Sequence, residues 1–398
     1  MKKKILGIGL ALLPLLAACD NDDSSNNPYN PVNFPTTTRG CVSDVNNFAF
    51  KITRMATKNT EDEANVIVSP QSLFSVLAMV ANGQNQEERA ALLDYLTDGS
   101  KNVEELNAFC NALRTQLPKL DKQTVYKEAN SIWFTPSQKV LTEFSRNVSD
   151  WYGADLFNSY EKNDKGLQEI NSWVSSNTSG LITNYLDEPP RFAPIVVNAL
   201  YFKSEWKEKF PKDRTADAIF TNAGGDKVSV PFMNNVLDCP YYSNEKYEMG
   251  VLPYGNSNFE MCVVHPFADQ NFAEFVASFD AEEFSEAYLM SGYAKVTVAL
   301  PKFKVDSSGS LFNIASELGL DEIYASEMVA NEKIKFEYFT QSVRLEVDED
   351  GTTVAVASSS TAPTAPAPAT LKVDSPFIYI IRERSSGVIL IMGTIAKF

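Results

Sequence analysis

The stretch that decides the fold is GTTVAVASSSTAPTAPAPAT, residues 351–370, which contains no charged and no aromatic side chain. Residues 352–362 are all small or β-branched and include no proline, whereas prolines stand at positions 363, 366 and 368. Proline interrupts the hydrogen-bond ladder of a central strand. The first half of the stretch is therefore able to become a strand inside a sheet, and the second half is not.

Strand patterns flank this stretch on both sides. Residues 331–350, NEKIKFEYFTQSVRLEVDED, predict an alternating strand that leads into it, and residues 376–398, PFIYIIRERSSGVILIMGTIAKF, predict a hairpin of two buried strands. A stretch whose two ends are held by one domain is not an interdomain linker. Its small residues instead suit an exposed loop that proteases cut.

An early segment predicts a buried strand followed by a buried helix. Residues 65–83 read NVIVSPQSLFSVLAMVANG, with a strand over Val66–Val68. Ser69 is predicted as the helix N-cap, Pro70 as its first residue and Gly83 as a left-handed stop.

Two other segments complete the outline of the fold. Residues 193–210, APIVVNALYFKSEWKEKF, predict a central strand in which a buried Asn198 needs polar partners. Residues 311–320, LFNIASELGL, predict a short helix. Helices early in the chain and strands late indicate an α+β fold.

The N-terminus predicts export and a lipid anchor. Residues 1–18 combine three lysines with an apolar run, as in a signal peptide, and the LAAC ending resembles a bacterial lipobox in which Cys19 is acylated. Residues 19–39 predict a lipidated cysteine and a disordered tether before a single domain at 40–398. We expect an outer-membrane lipoprotein that faces the cell exterior, with a periplasm-facing lipoprotein as the alternative.

Composition excludes several kinds of partner and site. The net charge of −16, from 51 acidic and 35 basic side chains, argues against nucleic acid or an anionic membrane surface as the main partner. The single histidine, His265, excludes a histidine-rich metal site and is predicted to pack in a strand. No cofactor and no metal are expected. Four further cysteines have no CxxC spacing, and the sequence allows none, one or two disulfides among them. We expect mostly packed thiols at Cys41, Cys110, Cys239 and Cys262.

Several segments together resemble the serpin family over about residues 40–398. The segment VRLEVDEDGTTVAVA, residues 343–357, resembles the hinge of that family, and seven family-like motifs occur in order. These are NVIVSPQSLFSVLAMVANG, INSWVSSNTSGLI, NALYFKSEWKEKF, VPFMNN, LPY, LPKFKVD and PFIYIIRERSSGVILIMG.

The resemblance implies three β-sheets, eight or nine helices and an exposed reactive-centre loop at about 351–375. It also implies a monomer that inhibits an endopeptidase by forming a covalent acyl-enzyme, after which the cleaved loop inserts into the central sheet. The implied hinge comprises Glu349, Asp350, Gly351, Thr352, Thr353, Val354, Ala355, Val356 and Ala357. The implied sheet-opening region comprises Ser69, Ser72, Asn198, Trp206 and Gln341.

The resemblance also places the reactive bond. Counting forward from Gly351 and back from Pro376 both give Ala365–Pro366, but a bond before proline is a poor substrate, so Thr364–Ala365 is the alternative. A small residue there suits an elastase-like or subtilisin-like serine protease, and a papain-like cysteine protease is a further possibility.

Three other functions are alternatives to inhibition. The first is a non-inhibitory serpin-fold binding module whose loop is only a substrate, and the small hinge residues argue against it. An enzyme is disfavoured because no HExxH, GxSxG, phosphate loop or CxxC pair is present. A glycan-binding lipoprotein would leave the hinge unexplained.

Overall fold

The computed structural model of the chain describes residues 26–59, 64–180, 182–310, 323–336, 339–351 and 369–398. Within these ranges lie eight α-helices: α1 Cys41–Asn59, α2 Pro70–Ala81, α3 Gln86–Thr97, α4 Val103–Gln116, α5 Thr142–Tyr152, α6 Asp164–Asn177, α7 Phe272–Ser278 and α8 Ala281–Met290. The same ranges contain the strands β1 Val66–Val68, β2 Thr124–Trp133, β3 Asp155–Phe157, β4 Ile195–Ser204, β5 Ala216–Thr221, β6 Lys227–Ser243, β7 Tyr247–Pro253, β8 Phe259–Pro266, β9 Gly292–Pro301, β10 Phe303–Ser310, β11 Tyr324–Val329, β12 Glu332–Lys335, β13 Phe339–Val347, β14 Ala369–Lys372, β15 Phe377–Glu383 and β16 Ile389–Ile395.

The described strands form three sheets. The central sheet has the order β10-β13-β4-β2-β3, and the largest sheet has the order β1-β16-β15-β8-β7-β6-β9-β14 with β5 on β6. Strands β11 and β12 form the third. The predicted α+β fold with three sheets and eight or nine helices is confirmed.

Helix α2 lies in the core, and every one of its residues is buried. The prediction of its strand and start is confirmed, but Ser69 makes no side-chain cap and instead donates its hydroxyl to the Leu390 carbonyl at 2.8 Å. Gly83 is not the left-handed stop that the sequence suggested, because its φ is not positive. A side chain there would crowd Met328 and Phe144, which explains the glycine by close approach.

The late strands follow the sequence patterns with one exception. The central strand β4 and the hairpin of β15 and β16 are confirmed. The single strand predicted over residues 331–350 is wrong, because the chain forms β12 and then the separate strand β13, which lie in different sheets. The helix predicted over 311–320 lies outside the described residues.

The N-terminal segment corrects the predicted domain boundary. Residues 26–39 were predicted as part of a disordered tether, and this is wrong for them because they bind along the domain. Asn27 donates to Asp121 at 2.7 Å, and the Val32 amide donates to the Ser385 hydroxyl at 2.8 Å. The Phe34 ring stacks on Phe109 with centroids 5.1 Å apart.

The four described cysteines are buried free thiols: Cys41, Cys110, Cys239 and Cys262. The prediction of packed thiols is therefore confirmed, and no disulfide joins them. Burial raises the pKa of each thiol, for example that of Cys239 to about 12. These thiols are thus protonated and unreactive at neutral pH.

Candidate functional site: the parallel strand pair and the hinge

The centre of the five-stranded sheet is a parallel pair with a short ladder. Strands β4 and β13 pair only from Val196 opposite Phe339 to Ala199 opposite Ser342, among the residues described. Both strands continue beyond that ladder, β4 to Ser204 and β13 to Val347. On their outer sides β4 pairs antiparallel with β2, and β13 pairs antiparallel with β10. Among the described residues, the C-terminal halves of β4 and β13 are therefore paired only with their outer neighbours, β2 and β10, and not with each other.

A polar cluster holds the ladder to helix α2. Gln341 makes two hydrogen bonds to the backbone of Ser69: its carbonyl oxygen accepts from the Ser69 amide, and its NH₂ donates to the Ser69 carbonyl, both at 2.9 Å. Both residues are buried. Strand β13 is thereby fixed to the residue that starts α2.

Asn198 lies opposite Gln341 in the ladder, and its predicted need for polar partners is confirmed. Its side-chain oxygen accepts from the Ser72 hydroxyl, and its NH₂ donates to the side-chain oxygen of Asn130 at 2.9 Å. Asn130 was not among the residues expected from the sequence. Its place in the middle of the alternating β2 pattern is the only local signal that would have found it.

After β13 the chain enters an acidic corner at Asp348, Glu349 and Asp350. Glu349 accepts from Lys302 at 2.9 Å and from the Thr215 hydroxyl at 2.8 Å. Burial alone would raise the pKa of Glu349, but these hydrogen bonds and the charge of Lys302 hold it below its usual value. The pKa of Asp348, in contrast, is raised by burial and by the neighbouring carboxylates. Glu349 is thus held in place by a lysine and a threonine that lie far from it along the chain.

Trp206, one of the residues of the implied sheet-opening region, lies under this corner. Its ring nitrogen donates to the Asp348 carbonyl at 2.9 Å, and its amide donates to the Asp350 carbonyl at 3.0 Å. The ring stacks on Tyr254 with centroids 4.4 Å apart. Five hydrogen bonds and one stacked pair thus define where the chain leaves β13: two from Trp206, two to Glu349 and one from the Phe210 amide to the Glu349 carbonyl.

Gly351 is the first residue of the 351–370 stretch, and the structure describes it but not residues 352–368. It has φ +129° and forms an antiparallel bridge with Glu205, one residue past the end of β4. A side chain at this position would meet the backbone of Ser204 and Glu205. Only glycine combines this φ with so close an approach. The chain therefore turns back at the open end of the β4–β13 pair.

The other predicted site residues lie outside the described ranges, namely Thr352, Thr353, Val354, Ala355, Val356, Ala357, Thr364, Ala365, Pro366 and Cys19. Lys302 and Thr215 were missed from the sequence because each lies far along the chain from Glu349 and belongs to no local motif.

His265 has the packing role that was predicted. It is buried at the end of β8, where one ring nitrogen contacts Glu248 at 3.1 Å and the other contacts the Ser375 hydroxyl at 2.8 Å. Within the described residues no group of three or more His, Cys, Asp or Glu side chains is placed to hold a metal ion. None of the described helices is both long and apolar enough to cross a bilayer.

Comparison with known proteins decides the family. A family model described as "Serpin (serine protease inhibitor)" matches residues 43–398. The chain belongs to the serpin family. Among curated serpin relatives, Iripin-8 from Ixodes ricinus is 26% identical over 359 residues, covering 84% of this chain and 89% of the relative. Neuroserpin from Mus musculus is 28% identical over 362 residues, covering 85% of this chain and 87% of the relative.

Solved serpin structures share the fold. The thermophilic serpin Tengpin in its native state has a TM-score of 0.82 at 24% identity, with 94% of this chain and 98% of that chain covered. AtSerpin1 of Arabidopsis, in its native stressed conformation, has a TM-score of 0.79 at 24% identity, with coverage of 90% and 98%.

Proposed function

We propose that this serpin is a suicide-type inhibitor of a serine endopeptidase with a shallow pocket for small residues, elastase-like or subtilisin-like, and that it acts as a monomer. A papain-like cysteine protease is a second candidate target. The observation that carries the proposal is the antiparallel bridge between Gly351 and Glu205 at the open end of a parallel strand pair.

A strand inserted between two parallel strands has the same direction relative to both, so a strand that starts with the antiparallel Gly351–Glu205 bridge would run antiparallel to both β4 and β13. The chain after Gly351 starts in that direction, and extending the bridge puts each following residue opposite the preceding residue of β4. In this register residue 361 would lie opposite Ile195, where β4 begins. Residues 352–361 would thus fill the whole length of β4, about 33 Å at roughly 3.3 Å per residue.

The sequence of the loop fits this register. All residues that would enter the sheet are small or β-branched, and the prolines at 363, 366 and 368 would lie beyond the end of β4. Residues 357–360, Ala-Ser-Ser-Ser, would replace the present ladder between β4 and β13, so Gln341 and Asn198 must separate for insertion to finish.

Insertion accounts for trapping in physical terms. The protease attacks the bond at Ala365–Pro366, or at Thr364–Ala365, and remains attached by an ester or thioester to the new carboxyl end. Insertion then carries the protease along the sheet by tens of ångströms, and its catalytic groups lose the alignment that deacylation needs. The acyl-enzyme persists.

We further propose that the domain is held at the outer membrane, facing the exterior, by acylation of Cys19, with a periplasm-facing anchor as the alternative. The apolar run before Cys19 and the acidic residues after it support this. Incorporation of labelled palmitate into the full chain, and its loss in Cys19→Ser, is the test. Absence of label in both proteins would contradict the anchor.

To test inhibition, the chain without residues 1–19 is incubated with elastase, subtilisin and papain, and the products are separated on denaturing gels. We expect a covalent band near the summed masses and a released peptide starting at Ala365 or Pro366. Thr352→Arg places a charge at the first inserted position and should convert the protein to a substrate. Ser172→Arg adds the same charge on an exposed part of α6 and should leave the yield of complex unchanged.

Clean cleavage with no adduct for all three proteases would favour the non-inhibitory alternative, in which the loop is only a substrate. An unchanged yield in Thr352→Arg would contradict strand insertion even if adducts form.

A further inference from the structure

Among the described residues, the large apolar side chains with the highest exposed fractions lie where α8 ends and β9 begins. Leu289 is 79% exposed, Met290 is 74% exposed and Tyr293 is 70% exposed, all within five positions of the chain. Scattered single apolar residues are normal on a protein surface, but a cluster of this kind marks an interaction site. We name these three residues the apolar patch.

An acidic groove continues from the apolar patch along the same helix. The groove has a volume of about 420 Å³ and is lined by Asp280, Glu282, Glu283 and Glu286 of α8 and its N-cap, together with Lys246 and other residues. Positions three and four apart share one helix face, so Glu282, Glu286 and Leu289 stand in one row. The exposed face of α8 is thus acidic at its start and apolar at its end.

The segment that carries the proposed reactive bond leads into β14, which pairs with β9, the strand that contains Tyr293. Strand β14 runs parallel to β9, and its first residue, Ala369, lies opposite Val296. Tyr293 precedes Val296 by three residues, about 10 Å at roughly 3.3 Å per residue. Pro366 precedes Ala369 by three residues, so the reactive bond lies within about 14 Å of Ala369 at up to 3.6 Å per residue. A compact domain of about 200 residues has a diameter of about 40 Å, so a protease bound at that bond would be large enough to reach the apolar patch.

We propose that the apolar patch and the glutamates of α8 form a secondary contact surface for the target endopeptidase, and that the target presents basic residues around an apolar centre on its facing side. This proposal rests on the proposed function and specifies the partner beyond the small residue read at the reactive bond. Opposite charges raise the association rate, and an apolar centre retains the encounter complex while the loop enters the protease.

Charge favours a protein partner over a lipid surface here. A membrane-binding surface combines exposed apolar side chains with lysine and arginine. The exposed row on α8 instead combines them with Glu282 and Glu286, and the whole chain carries a net charge of −16. A cationic endopeptidase is complementary to this surface, whereas an anionic bilayer is repelled by it.

The experiment measures the second-order rate at which the chain without residues 1–19 reacts with neutrophil elastase, at 50 and 500 mM NaCl. Glu282→Lys with Glu286→Lys should slow the reaction about tenfold at low salt, and the difference should shrink to within about twofold at high salt. Leu289→Ala with Met290→Ala and Tyr293→Ala should slow it about tenfold at both salt concentrations.

A matched control carries equivalent changes at the other end of the central sheet. Phe192 is 52% exposed and Glu188 is exposed, and both precede the start of β4, whereas the hinge follows the end of its neighbour β13. Phe192→Ala with Glu188→Lys should therefore react at the wild-type rate. All these side chains are exposed, and unchanged melting curves will show that the variants fold.

Unchanged rates for both α8 variants would overturn the proposal. Loss of binding to vesicles of phosphatidylethanolamine and phosphatidylglycerol in the triple alanine variant, at an unchanged rate, would assign the patch to a membrane. A wild-type dimer in sedimentation that the same variant abolishes, again at an unchanged rate, would assign it to a second copy. If the loop is cut without an adduct, inhibition fails, but the rate of cutting still reports the surface contact.

Discussion

Glu349 is a buried carboxylate in an already acidic chain, and Lys302 and Thr215 hold it in place. Because the pKa of Glu349 is lowered in the folded protein, its ionised form is the one that the fold stabilises. This contribution is complete above the ordinary glutamate pKa of about 4.3 and is lost as the pH falls through the lowered value.

We therefore expect Glu349→Gln to reduce the free energy of unfolding by about 1 kcal/mol at pH 7, since Lys302 is partly exposed and the pair is partly screened. The deficit should diminish when urea unfolding is repeated towards pH 3. Glu346→Gln, at an exposed position of β13, should differ little from wild type across the range. A deficit in Glu349→Gln that stays constant with pH would contradict the ionised pair.

Two features of the structure require glycine at position 351: its positive φ and the close approach of the backbone at Ser204 and Glu205. Gly351→Ala should destabilise the protein by about 2–3 kcal/mol and reduce the yield of covalent complex, because the hinge must move to admit the new methyl group. Gly225 also has a positive φ but has open space around its Cα, so Gly225→Ala tests the φ alone. Equal losses in the two variants, measured by chemical denaturation, would show that the close approach has no effect.

Strand β13 is hydrogen-bonded to Ser69, at the start of α2, through the side chain of Gln341. Removing it in Gln341→Ala leaves the buried amide and carbonyl of Ser69 without those bonds, at a cost of about 2–4 kcal/mol. It also loosens the ladder that closes the sheet, so we expect faster formation of loop-inserted or oligomeric species on mild heating.

The matched variant for this prediction is Gln138→Ala. Gln138 is also buried, and it bonds to the backbone of Thr135 and Ala193 outside the β4–β13 pair. It should lose stability without the change in oligomer formation, as followed by native gels after incubation. The same oligomer yield in both variants would show that the effect follows stability and not the ladder.

Helices and strands that carry a residue pattern of their own could be predicted from the sequence. Contacts between elements far apart along the chain could not. The proline after Ser69 and the apolar spacing that follows predicted α2, and the β-branched and aromatic residues of β4 predicted a buried strand. The pairing of Glu349 with Lys302 depends on the register of separate strands, which no local pattern encodes. The docking of residues 26–39 was missed because asparagine and proline suggest disorder, although Asn27 and Phe34 find specific partners on the domain.

For the whole molecule, the proposed insertion would add one strand to the central sheet, between β4 and β13, whose present ladder is short. Cleavage at the reactive bond should let residues 352–361 pair on both edges, so we expect the cleaved protein to melt at a clearly higher temperature than the intact one. Scanning calorimetry of intact and elastase-treated protein measures this. A cleaved form that melts no higher would support the non-inhibitory alternative.

The binding of residues 26–39 along the domain determines where a shortened chain can safely start. A chain begun at residue 40, as the sequence alone would suggest, loses the Asn27 bond to Asp121, the Val32 bond to Ser385 and the Phe34 ring that stacks on Phe109. Proteolysis between the acyl group and residue 26 would instead release an intact inhibitor into the medium. If Cys19 is acylated as proposed, one cut between Cys19 and residue 26 would therefore convert a membrane-held protein into a released one.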